Sequence, residues 1–286
     1  MKTALCLHGY LKNAGGLSAF FESNKYLESK IFKKCDVDIF THSWDIDNIN
    51  EYDNIYKTKT KLKTFEKQKD FSTFDICKNQ RWFDEEFQNR ENSPFKNNTI
   101  ERTLSFLYSR KASVDLKTEY ELKNNFKYDC VIIARFDLGT RGKDYPQKYY
   151  ATNINFIPDS NMEFLHCAYW DQFNQGFPDH WFYSSSDNIN KVSQLYNYVF
   201  EYYKIDSDYV YSCVNGWITS NNKELFSNEM LKKEEHRSKD LLCWPKYMCI
   251  DNHKLYKWHI TKHNIKLKLV DITEQNEKIQ YSSIFS

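Results

Sequence analysis

Four residues after the most apolar run of the chain carry the strongest chemical signal. The run Tyr128–Ala134 (YDCVIIA) is followed by Arg135-Phe136-Asp137-Leu138. A continuous apolar stretch of this length reads as a central, doubly covered strand. In open α/β sheets, ligands gather beyond the carboxyl ends of such strands. A carboxylate there can hold a hard divalent cation, which takes oxygen ligands and bridges phosphates. Arg135, two residues earlier on the same strand face, can pair with Asp137 or with a phosphate. The competing reading is a strand-end Asp that caps a turn. A second candidate is Asp45-Ile46-Asp47, an Asp-x-Asp that follows the run Val37–Thr41. Before it, His42 and Trp44 alternate as core residues of a strand would.

In order along the chain stand Leu5–Lys12, then Val37-Asp38-Ile39-Phe40-Thr41-His42-Ser43-Trp44-Asp45, then Ser105–Lys111 with Tyr108-Ser109. Arg135-Phe136-Asp137-Leu138 and Asp179-His180-Trp181-Phe182 follow. Together they resemble a family of polysaccharide glycosyltransferases found in bacterial surface-glycan loci and large DNA viruses, over roughly residues 1–200. Each motif is weak alone; their order and spacing are the signal.

The resemblance implies a GT-A-type fold, a nucleoside-diphosphate-sugar donor of the UDP or GDP kind, a glycan acceptor and a divalent cation, Mn²⁺ or Mg²⁺. It puts Asp137 at the last carboxylate of the family's metal motif, with Arg135 where that motif has an acid. His8, Gly9 and Lys12 would border the nucleotide, Gly9 by allowing close backbone approach and Lys12 by reaching a phosphate. Lys12 stands where the family often has Arg. Asp45 would lie near base or ribose, and Ser109, Arg110 and Lys111 near the diphosphate or the donor sugar, or on a solvated helix face. For an inverting transfer, Asp179 and Asp171 are the candidate general bases, and Trp170 and Trp181 the rings for an acceptor sugar. A catalytically inactive glycan-binding or scaffold module of the same fold is the alternative.

These residues need a frame. Thr3–His8 predicts a first buried strand, a Gly-containing loop follows, and Leu17–Lys33 predicts a helix with Phe20, Phe21, Leu27 and Ile31 on one face. Val37–Thr41 predicts the second strand. Residues 46–97 read as a polar excursion with little regular structure before Gln80. Asn98 and Glu101 suggest a cap for a long helix to about Lys123. Asn153–Ile157 and Lys266–Ile272 read as strands, and Asp187–Tyr203, 223–233 and 252–263 as helices. The expected fold is a single α/β domain over 1–286 with a mostly parallel, Rossmann-type sheet. Its nucleotide half runs to about residue 145 and its acceptor half covers 146–286.

Composition limits the function classes. With 40 basic and 39 acidic residues the net charge is +1, without the basic excess of a nucleic-acid binder. The 17% aromatic content serves both a core and sugar-facing surfaces. Eight Cys without a CxxC pair predict reduced thiols and a cytoplasmic protein. No run reaches the length of a transmembrane segment, and the start lacks the apolar region of a secretory leader.

Overall fold

Side-chain alternation along the first and fourth strands divides the interior into two layers. In the computed structural model, which describes residues 1–12, 16–86, 98–139, 153–168, 176–215 and 249–270, β1 spans Thr3–Gly9 and β4 spans Cys130–Arg135. Leu5, Leu7, Ile132 and Ala134 face one apolar cluster, whereas Ala4, Cys6, Val131 and Ile133 face the other. Helix α1 (Ser18–Leu27), its wide-turn extension Glu28–Phe32, and α2 (Ile49–Tyr56) supply the first cluster. Phe20, Leu27 and Ile31 are buried there, while Phe21 is exposed.

Among the described residues, seven strands form one sheet in the order β3-β2-β1-β4-β6-β5-β7. The remaining strands are β2 (Val37–Ser43), β3 (Thr60–Phe65), β5 (Leu165–Ala168), β6 (Trp181–Ser184) and β7 (Leu267–Val270). β1 to β4 run parallel, β6 is reversed against both neighbours, and β5 and β7 are parallel to each other. The chain therefore builds a mostly parallel α/β sheet, as expected of a Rossmann-like fold.

The helix layers follow from handedness. Passing from β1 to β2 to β3, the chain moves outward in one direction, with α1 and α2 on one face. The next crossover must return past β1 to β4, and a right-handed connection then requires its helix on the opposite face. That helix is α4 (Ile100–Asn124), which lies across β1, β2 and β3; the short α3 (Gln80–Glu86) precedes it. The reversal leaves a switch point between β1 and β4, the place where an open α/β sheet has an uncovered crevice at its carboxyl edge.

Several expectations need correction. The polar excursion holds α2 and β3: Tyr52 and Tyr56 bury one short helix face. The lysines of β3 pair with carboxylates, Lys61 with Asp38 and Lys63 with Asp53, so the strand reads as polar although it sits in the sheet. Charged side chains are what an edge strand needs. The cap of α4 is Thr99, whose hydroxyl accepts from the Arg102 amide at 3.1 Å, rather than Asn98. Asn153–Ile157 is not a strand of the sheet; it is held by side chains such as Trp181, whose Nε1 donates to the Asn153 carbonyl at 2.9 Å. The helix predicted over 187–203 is divided at Gln194 into α5 (Ser186–Ser193) and α6 (Leu195–Tyr202). β5, β6 and α7 (Asp208–Asn215) were not expected, and α8 (Asn252–Lys262) was. The helix predicted over 223–233 lies outside the described residues. No described helix is long and apolar enough to cross a membrane.

A buried polar knot joins α4 to α5. Lys117 Nζ donates to Glu121 Oε2 at 2.8 Å, to Ser186 Oγ at 2.5 Å and to Asn190 Oδ1 at 2.9 Å. Glu121 Oε1 accepts from the Tyr128 amide at 2.8 Å, just before β4 begins. Removing one partner would leave the other charge buried and uncompensated. Lys117→Ala is expected to lower unfolding free energy by about 3–5 kcal/mol. Lys117→Met with Glu121→Leu should cost less than the single substitution, because no charge is then stranded. Urea unfolding of the three proteins measures both.

Candidate functional site

Strand register brings three polar side chains into one row at the carboxyl edge. His8 on β1 is paired with His42 on β2 and with Arg135 on β4. All three continue the alternation toward the α4 face, so the row faces that helix. Beyond Arg135 the chain turns, and Asp137 Oδ2 accepts from the Arg135 guanidinium at 2.7 Å.

The reversed direction of β6 adds the next residues. Trp181, at its start, pairs with Ala134 near the end of β4. An antiparallel neighbour thus delivers the residues preceding it to the carboxyl edge, and the Arg135 amide donates to the His180 carbonyl at 3.3 Å. Asp179 and His180 therefore stand beside Arg135.

The amino end of α8 completes the group. Asp251 caps this helix, its Oδ1 accepting from the His253 amide at 2.7 Å. Asn252 Nδ2 donates to Asp179 Oδ2 at 3.1 Å, and His253 Nε2 lies 3.2 Å from Asp179 Oδ1. A glycine makes this docking possible. Gly176 has φ +91°, and a Cβ there would lie 2.1 Å from the backbone carbonyl carbon and oxygen of His253. The next residue anchors the contact, the Phe177 amide donating to the His253 carbonyl at 3.0 Å.

Electrostatics divides the histidines. Burial, reinforced by Arg110 and Arg135, holds His8 well below the ordinary imidazole range. Burial and then Arg135 push His180 down to about 3. Both rings are neutral near pH 7. Burial also opposes charge on His253, but the carboxylates of Asp251 and Asp179 outweigh it and lift the group to about 9. Burial opposes ionisation of Asp179, yet His253, His180 and Arg135 keep it well below the ordinary carboxylate range. The buried Asp179 and the partly buried His253 thus form an ion pair. Both ring nitrogens of His8 and Nδ1 of His180 have no hydrogen-bond partner among the described residues.

Other expected residues have distinct placements. The Gly9 amide donates to Ser109 Oγ at 2.9 Å, and Ser109 Oγ is 2.8 Å from His42 Nδ1, whose Nε2 faces Glu66 Oε1 at 2.9 Å. Ser109 is therefore a buried brace for the first loop. Gly9 has φ +106°, and no atom of the described residues lies within 4 Å of where a Cβ would stand, so none of them blocks approach to its backbone. Asp45 Oδ2 accepts from the Lys12 amide at 2.6 Å and holds that loop, while Lys12 itself is exposed. Arg110 is buried beneath the site, its Nη1 donating to the Asp179 carbonyl at 3.1 Å. Lys111 is not brought to the site; it pairs with Asp115 along α4 at 2.6 Å. Trp181 is 1% exposed and packed at 5.9 Å against Tyr183, so it offers no open ring face. Trp170 and Asp171 lie outside the described residues. His180 escaped notice beside Asp179, and His253, 74 residues further along, had no local signal.

The divalent cation implied at Asp137 can be tested against the donor set. Asp137 is engaged by a guanidinium through Oδ2. Among the described residues, the one group of three potential ligands is Asp179, His180 and His253, and Asp137 is not part of it. A single guanidinium-paired carboxylate does not fit an oxygen-rich Mg²⁺ or Mn²⁺ site. No family model, curated protein or solved structure matches the chain.

The two glycines yield a paired test. Left-handed backbone costs a side chain roughly 1–2 kcal/mol, and this is the whole expected effect of Gly9→Ala. Gly176→Ala adds a collision with the α8 backbone, and overpacking costs about 1–3 kcal/mol more. Chemical unfolding of both variants should rank Gly176→Ala as clearly the less stable.

Proposed function

We propose that the chain is a glycosyltransferase of GT-A type, taking the sugar of a UDP- or GDP-linked donor and passing it to a glycan acceptor. The observation carrying this reading is the polar row His8–Arg135 with Asp137, set at the β1/β4 switch point beside a loop with an open glycine backbone. A crevice at that point suits a nucleotide, and a guanidinium suits a diphosphate through paired hydrogen bonds. The ordered motifs of the sequence supply the sugar.

In this reading the Gly9–Lys12 loop borders the nucleotide, with Asp45 and Ser109 fixing its backbone. Arg135 donates to the diphosphate, and Asp137 orients the guanidinium. During transfer the bond from the anomeric carbon to the phosphate oxygen breaks and a bond to the acceptor oxygen forms. The nucleoside diphosphate leaves with the bond electrons, and the proton of the acceptor hydroxyl passes to the departing diphosphate oxygen or to water. Arg135, preorganised by Asp137, stabilises the charge that grows on that leaving group. Asp179 is a poor proton acceptor here, because a general base works best with a pKa near the working pH. We assign it the holding of His253 and of the α8 end.

Calorimetry with UDP, GDP and their sugars tests the proposal. One nucleotide should bind, and Arg135→Gln should weaken it about ten- to hundredfold, the effect of losing hydrogen bonds to a charged group. Absence of binding by every nucleotide tried would refute it.

A further inference from the structure

We propose that Asp179, His180 and His253 form a binding site for a first-row transition-metal dication, distinct from the Asp137 position. One carboxylate and two imidazoles supply the donors. Such a mixed oxygen and nitrogen set suits Zn²⁺, Co²⁺, Fe²⁺ or Mn²⁺, whereas Mg²⁺ wants oxygen alone.

Four observations carry the site. The ligand atoms all lie within 4.8 Å of one another. Asp179 Oδ1 to His253 Nε2 is 3.2 Å, and metal–ligand bonds of about 2.0–2.2 Å leave tetrahedral ligands roughly 3.3–3.5 Å apart. His180 Nδ1 is 3.9 Å from the same oxygen, too far for a hydrogen bond, and has no other partner among the described residues. A buried polar nitrogen without a partner is uncommon in a native fold; a metal drawing it inward by roughly half an ångström would supply one.

The surroundings already have the form of outer support. Asn252 fixes the second oxygen of Asp179 at 3.1 Å. Asp251 Oδ1 stands 3.9 Å from His253 Nδ1, behind the ligating nitrogen. Ligating histidines are commonly backed by a carboxylate in this way. The Arg135 guanidinium is engaged by Asp137 Oδ2 at 2.7 Å, and that of Arg110 by the Asp179 carbonyl at 3.1 Å. Metal binding would replace the proton that His253 Nε2 shares with Asp179, so one proton is released per ion if the ring is charged beforehand.

The inference does not rest on the donor-sugar reading, because it is read without nucleotide. The chelator-treated, dialysed full-length protein is titrated with Zn²⁺ by calorimetry and with Co²⁺ by visible absorption. One equivalent should bind, with cobalt bands of a nitrogen and oxygen environment. His180→Gln and His253→Gln should each weaken binding at least about tenfold, and Asp47→Asn, at an exposed position after β2, should leave it within about twofold. Failure of the wild-type chain to bind either ion would overturn the site, as would unchanged binding in both histidine variants. Should a histidine variant fail to fold, ¹⁵N-histidine spectra of the wild-type protein decide. Zinc must shift the rings of His180 and His253, and a shift confined to other histidines overturns the site.

Discussion

A buried cation, Arg110, constrains the arrangement around it. Its guanidinium sits on α4 with 1% of the residue exposed, 4.6 Å from the ring centre of Phe182 and 4.8 Å from that of Tyr256. Removing such a charge from water costs several kcal/mol unless partners compensate. The ring faces compensate in part, and the Asp179 carbonyl accepts one hydrogen bond. Those partners come from β6, from α8 and from the segment leading into β6. One cation thereby ties together three elements whose ends make the site. Its field also helps to keep the neighbouring His8 neutral.

Topology explains why residues so distant in sequence meet. A wholly parallel sheet would deliver only strand ends to the carboxyl edge. Reversing β6 delivers a strand start as well, so Asp179 and His180 arrive next to Arg135 through the pairing of Trp181 with Ala134. The amino end of α8 reaches the same edge because Gly176 lets two backbones touch where no side chain would fit. The left half of the sheet and its loop supply the Gly9 approach, and the right half supplies Asp179, His180 and His253.

The sequence made the left half legible and the right half mostly opaque. β1 and β4 are apolar runs buried on both faces, β2 opens on the apolar Val37, Ile39 and Phe40, and Arg135 with Asp137 follows the most apolar of the three. β5 and β6 are four residues each, too short for a period to register. β6 begins in Trp181, which reads as an aromatic site residue although the fold uses it as core. β3 was hidden for another reason. Its lysines satisfy the edge by pairing with neighbouring carboxylates, and a strand of that composition looks like a loop. The pairing of Asp179 with His253 spans 74 residues and has no local pattern. By contrast, the period-two placement of His42 and Trp44 in the core was visible in their spacing, and both are buried.

The same residue type takes opposite charge states within this one site, and position alone decides which. His8 and His180 face guanidiniums in a buried setting, so both lose affinity for a proton. His253 stands between two carboxylates and gains it. The result is a graded edge, with a cationic side at Arg135 and an acidic side around Asp179. Arg135 is paired with Asp137, and the Asp179 carboxylate is held by α8. The two sides therefore stay distinct, each with its own partner. That separation depends on β4 and β6 running in opposite directions, since parallel strands would have placed the residues preceding β6 at the other edge of the sheet.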